Sequence, residues 1–178
     1  MHATVTARVL GLLLILFSVT MLPPIAVSII YSEPFTGIFL SAFSITLLAG
    51  LIIWLPVRQS SYELRTRDGF IVTVLFWLVL SIFGTLPFLF SDALELSFVD
   101  ALFESVSGLT TTGATVLSGL DDLPKSLLYY RQQLQWLGGI GIIVIAVAVL
   151  PMLGVGGMQI YRAEAPGPMK DTKSTPRI

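Results

Sequence analysis

Long charge-free apolar runs alternate with short polar breaks along this chain. Four runs reach spanning length: Val9–Ile30, Ile38–Leu55, Phe70–Phe90 and Gln132–Leu153, and none of them contains Asp, Glu, Lys, Arg or His. At ~1.5 Å per residue, runs of roughly 18 to 22 residues cover about 27–33 Å, the depth of a hydrocarbon core. Backbone amides in lipid must find partners inside the protein, so each run predicts a helix. Pro23-Pro24 and Pro151 predict kinks in the first and last of them. The first run exceeds the ~7–15 apolar residues of a signal-peptide core and no small-x-small cleavage site follows it, so a retained helix is expected.

The polar breaks set an orientation. With both ends inside, the inner side carries Arg8, Arg58, Arg65, Arg67, Arg162, Lys170, Lys173 and Arg177, and the outer side only Lys125 and Arg131. That asymmetry predicts a cytoplasmic N-terminus. The outer side collects Glu33, Asp92, Glu95, Asp100, Glu104, Asp121 and Asp122 instead. Tyr31–Gly37 is a short outer turn, and 57–69 is a polar inner loop.

The connection from Ser91 to Arg131 is too long for a turn. Within it, Phe98–Leu109 has Phe98, Ala101, Leu102, Ser105 and Leu109 at helical spacing. Twelve residues make about 18 Å, half a membrane, which predicts a re-entrant helix entering from outside. Asp100 lies in its first turn, where negative charge suits the helix dipole. Its C-terminal carbonyls then face the membrane centre. The next six residues, Thr110-Thr111-Thr112-Gly113-Ala114-Thr115, are small and lack an apolar anchor. Irregular backbone at such depth is tolerated where protein buries it or where it lines a polar path. Layers of backbone carbonyls can replace the water shell of a potassium ion, and a Thr hydroxyl can add a ligand. Thr111, Thr112 and Gly113 are the first candidates for such K+ ligands, with Thr110 and Ala114 beside them. The alternative for these residues in isolation is a threonine-rich outer loop.

Composition narrows the function classes. Hydrophobic residues make up 54% and charged residues 12%, with a mean hydropathy of +0.87. Soluble domains carry about twice that share of charge. A net charge of −1 gives no footing for a nucleic-acid partner. Cysteine is absent and the single histidine is His2, so thiolate or histidine metal sites and catalytic dyads within the spans are excluded. The spans also lack paired carboxylates, which argues against an intramembrane enzyme and against a proton relay.

The stretch ESVSGLTTTGATVLSGLDDLP resembles the first filter of the Trk/Ktr/HKT potassium transporter superfamily. The stretch from Tyr130 to Ile178 resembles the helix and loop that follow it in the TrkH type of bacterial potassium-uptake membrane subunit. The resemblance implies an all-α integral membrane fold: an N-terminal transmembrane helix pair, then helix–pore loop–helix repeats of a pseudo-fourfold, potassium-channel-like pore. On that pattern, residues 1–56 hold the pair, 57–69 a cytoplasmic loop, 70–155 the first repeat (pore helix 98–109, filter 110–115) and 156–178 a second cytoplasmic loop. Three further repeats would follow Ile178. The implied activity is potassium uptake across a bacterial inner membrane without a cofactor, in a family that includes symporters. The implied partners are membrane lipid, a second copy in a homodimer, and a cytosolic nucleotide-binding regulatory subunit of the TrkA type. A membrane structural or assembly protein without transport is the competing function. Ala114-Thr115 replace the Tyr-Gly that follows the filter glycine in strict potassium channels, which implies fewer binding layers and weaker sodium rejection.

Other residues carry weaker signals. Asp100 and Glu104 share a helical face; they would concentrate cations at the outer mouth, or Glu104 would accept amides behind the filter, or both are ordinary paired polar residues. Gly138, Gly139 and Gly141 are expected to pack closely, against the pore helix. Gly154, Gly156 and Gly157 follow no strand and form no nucleotide loop. Arg131 is expected as an anchor at the outer interface. Trp54, Trp77 and Trp136 fit either membrane anchoring or packing.

Overall fold

The computed structural model describes residues 3–59 and 66–152, with backbone only at 3, 66–70 and 144–152. Residues 60–65 of the loop expected on the inner side lie outside the described residues, as does 153–178 with Gly154, Gly156 and Gly157; Pro151 stands at their edge.

Among the described residues all the regular secondary structure is helical, in keeping with an all-α membrane fold. The first apolar run forms α1 (Ala3–Val19) and α2 (Leu22–Ile30). Pro23 and Pro24 have no amide to give Val19 and Thr20, so the ladder breaks there. Gln133 supplies the missing donor to Thr20, with Nε2 2.7 Å from its carbonyl. The second run is α3 (Thr36–Trp54), followed by a 3-10 turn, Leu55–Val57. The third is α4 (Thr66–Gly84) and a single turn, α5 (Leu86–Leu89). The expected uninterrupted span over 70–90 is thus broken at Thr85, because Pro87 cannot continue the helical ladder. Then come α6 (Phe98–Leu109), a 3-10 turn at Leu120–Asp122, and α7 (Lys125–Met152).

Three segments of the described residues are long and apolar enough to cross a membrane: Thr4–Ile30, Thr36–Val57 and Ile71–Leu89. α7, at 28 residues, extends about 42 Å. Large apolar side chains face outward on every long helix: Leu16, Leu48, Ile52, Val74, Leu78 and Ile143 are all more than half exposed. Helices apolar on all sides suit a lipid solvent or further protein, not water.

α1 and α3 cross at Gly11 and Gly50. A Cβ on Gly11 would lie 2.8 Å from the Trp54 Cβ, and one on Gly50 would lie 2.9 Å from the Ile15 nitrogen. Trp54 is therefore a packing residue at this crossing. Trp77 packs against the core, while Trp136 is 66% exposed.

The core that seats α6 centres on Tyr130. Its ring makes an edge contact with Phe39 (5.7 Å) and a tilted one with Phe88 (5.2 Å). Its hydroxyl donates to the Gly84 carbonyl at 2.9 Å, at the break in α4. That break frees a second carbonyl: the Thr85 amide bonds to Ile82, and the Ser81 oxygen accepts the Thr85 hydroxyl (2.8 Å) and the Ser105 hydroxyl of α6 (2.7 Å). The proline break thus becomes the docking point for α6 and α7, since buried carbonyls must be satisfied.

Candidate functional site

α6 starts at Ser97, whose hydroxyl accepts the Asp100 amide at 3.2 Å and donates to the Asp100 carboxylate at 2.7 Å. This is an N-cap with an acid in the first turn. Asp100 therefore belongs to the start of the helix, partly exposed.

The other end of α6 is fixed by its contact with α7. A Cβ on Gly138 would lie 1.9 Å from the Leu109 carbonyl oxygen, so only glycine allows α7 this near the final turn. Gly108 faces the Leu134 Cβ in the same way, at 3.0 Å. Beyond Leu109 the chain turns sharply. The Thr111 amide bonds to Gly108 (2.9 Å) and the Thr112 amide to Ser107 (3.0 Å). This is the paired closure of a Schellman cap, with Thr111 at the left-handed position, φ 58°. Glycine usually occupies that position. A β-branched residue there is a true outlier.

Gly113 follows at φ 75°. A Cβ on it would meet nothing within 4 Å, so the demand for glycine comes from the backbone conformation and not from space. The Gly113 amide also turns toward the Ser107 carbonyl, at 3.3 Å. Residues 110–116 are all exposed. Thr110 and Thr112 join their hydroxyls at 2.8 Å. Among the described residues, no donor is bonded to the carbonyl of Thr110, Thr111 or Thr112. The next two carbonyls are engaged: Gly113 accepts Arg131 Nη2 at 3.1 Å, and Ala114 accepts the Ser107 hydroxyl at 2.6 Å.

Behind the loop lies a buried ion pair. Arg131 Nε donates to Glu104 Oε2 at 3.0 Å, with side-chain exposures of 8% and 0%. The other carboxylate oxygen accepts the Thr115 hydroxyl (2.5 Å) and the Val116 amide (2.7 Å). Glu104 thus fills its lone pairs on the loop and on a guanidinium, as a buried carboxylate must. Arg131, expected at the outer interface, is instead only 6% exposed. An acid on the buried face of an otherwise apolar half-helix needs a cation, and Arg131 is one of the two cations in the polar connection that flanks it; that is the signal that identifies it.

Glu33 ties the N-terminal helices to the site. Its carboxylate accepts the Lys125 amide (2.6 Å), the Ser126 amide (3.0 Å) and the Ser126 hydroxyl (2.5 Å), and so caps α7 from ninety residues away in sequence. Partial burial, the largest single influence, pushes its pKa up. The Ser126 hydroxyl, the two amides and the Lys125 charge together outweigh it and hold the carboxyl below its ordinary value.

A family model described as TrkH, cation transport protein, matches residues 37–178. The Trk system potassium uptake protein TrkH of Halomonas elongata is 58% identical over 171 residues, covering 96% of this chain and 36% of that protein. The Escherichia coli K12 protein of the same name is 56% identical over 178 residues, 100% of this chain and 37% of its own. The crystal structure of the potassium transporter TrkH from Vibrio parahaemolyticus superimposes with a TM-score of 0.84 at 53% identity, over 92% of this chain and 35% of that one. The chain spans about a third of the length of the relatives it matches.

Proposed function

Because the chain belongs to the TrkH family of cation transport proteins, we propose that it supplies one quarter of a potassium-conducting pore in a bacterial inner membrane. The observation that carries this reading is the handover from a half-length helix to an exposed irregular segment whose Thr110, Thr111 and Thr112 carbonyls have no protein donor among the described residues. Oxygens held at fixed spacing can replace the hydration shell of K+. The C-terminus of α6 adds partial negative charge where the ion arrives. Thr111 and Thr112 are the principal ligands in this reading; the Gly113 carbonyl, already bonded to Arg131, is a weaker one, and Thr110 and Ala114 stand at the margins. Glu104 supports the segment from behind, and Asp100 fixes the entry of the helix.

The rest of the pore comes from the remainder of the full-length protein. The cytoplasmic side is the side of Arg8 and Arg58, following the excess of basic residues there. The relatives' printed names place them in a Trk potassium uptake system. The wider reading is a homodimer served by a TrkA-type cytosolic subunit, with passive flow through this segment.

Gly113→Val in the full-length protein is the test, because a β-branched side chain opposes a positive φ. Potassium uptake by cells that lack other uptake systems should be lost, or its ion preference altered, while the protein still inserts. Wild-type uptake and ion preference would favour a structural or assembly role instead.

A further inference from the structure

We infer that Arg131 is a positioning residue for the Gly113 carbonyl, and that with Glu104 it sets how well this repeat tells potassium from sodium. The inference rests on the pore reading above and deepens it.

Two side chains hold three points of one segment. Arg131 bonds the Gly113 carbonyl, and Glu104 bonds the Thr115 hydroxyl and the Val116 amide. Ser107 takes the carbonyl between them, that of Ala114. From Gly113 onward the segment is therefore anchored residue by residue to α6 and α7, whereas the three preceding carbonyls are free of protein donors among the described residues.

Two consequences follow for an ion. First, the orientation of the Gly113 peptide is set by a guanidinium that itself cannot move. Its Nε is committed to Glu104 and its Nη2 to Gly113, and its plane fixes the angle between the two bonds. An oxygen held this way resists closing around a smaller cation, and selectivity depends on such resistance or on the ligand field of the carbonyl. Second, the Gly113 oxygen already shares electron density with a cation, so it is a weaker ligand than the Thr111 and Thr112 oxygens. The Glu104 carboxylate cancels the guanidinium charge, so the segment is held without a net positive charge that would repel the permeating ion.

Arg131→Lys tests this. Lysine keeps the charge for Glu104, but a single ammonium cannot reproduce the fork. Full-length wild type, Arg131→Lys and the double variant Glu104→Gln/Arg131→Gln are reconstituted in liposomes, and K+ and Na+ fluxes are compared per inserted molecule. A residue that merely aids folding alters the amount inserted and leaves the flux ratio alone. The expected result is a K+/Na+ ratio lower by about threefold to tenfold in both variants, the net value of one hydrogen bond. Inserted variants with the wild-type ratio overturn the inference. If neither variant inserts, a density map of the full-length wild type decides: a Gly113 carbonyl bonded to Arg131 supports it, and one turned away from Arg131 overturns it. Gly113→Val run in parallel separates the two layers of argument. A ratio shifted by Gly113→Val but not by Arg131→Lys removes this inference alone, and a ratio unmoved by both removes the pore reading with it.

Discussion

Thr111 holds a backbone conformation that glycine would adopt more cheaply. The left-handed region costs an ordinary residue roughly 1–2 kcal/mol, and strain of this kind marks sites where the surroundings enforce it. The hydroxyl and the β-branch are thus retained where stability alone would favour their loss. Thr111→Gly should leave thermal stability unchanged or higher while lowering ion discrimination, measured as melting temperature beside K+/Na+ flux ratio. A large loss of stability would show that the threonine is there for folding. The Glu104–Arg131 pair behaves oppositely. Removing one partner strands a buried charge at a cost of about 3–5 kcal/mol. Glu104→Leu alone should therefore reduce the amount of folded full-length protein recovered in detergent far more than Glu104→Leu/Arg131→Leu does. Equal recovery of the two would mean that water already reaches the pair.

At the level of helices, two contacts position the site. Gly138→Ala should drive α7 from the end of α6, since the new methyl would overlap the Leu109 carbonyl; overpacking of this kind costs about 1–3 kcal/mol. Gly37→Ala is the matched control, with nothing within 4 Å of its Cβ. Gel filtration of the two variants should show loss of folded protein for the first only. Glu33 is the second contact. Its folded-state pKa is below the ordinary value, so its contribution is present above the unfolded pKa and is lost as pH falls through the folded one. Glu33→Gln should cost about 1 kcal/mol near neutrality, the typical worth of a helix cap, and the gap to wild type should close in acid. A gap that is constant with pH would mean that the carboxylate charge is not what α7 requires.

The helical membrane architecture was legible because its signals are local. Charge-free runs read directly as spans, and apolar spacing over 98–109 reads as a short helix. The position of Gly113 was legible for a related reason, since glycine among threonines signals an unusual backbone. What escaped depends on partners distant in sequence. The break at Thr85 is tolerable because Ser105 and Tyr130 reach its carbonyls. Arg131 read as an interface anchor because its partner lies 27 residues earlier. Glu33 read as one more outer acid, although it caps a helix that begins at Lys125. Periodicity reports on faces of elements, not on which faces meet.

For the whole molecule, the pore reading requires the exposed residues 110–116 to turn toward an axis shared with further protein, as this chain spans about a third of the length of its relatives. The outward apolar faces of the long helices fit lipid or companion helices equally. The most direct measurement is anomalous diffraction from the full-length protein soaked in rubidium, a heavier substitute for potassium. A potassium path along this segment predicts a peak at coordination distance from the Thr111 and Thr112 carbonyl oxygens. Rubidium bound elsewhere, with these oxygens facing only water or lipid, would contradict it.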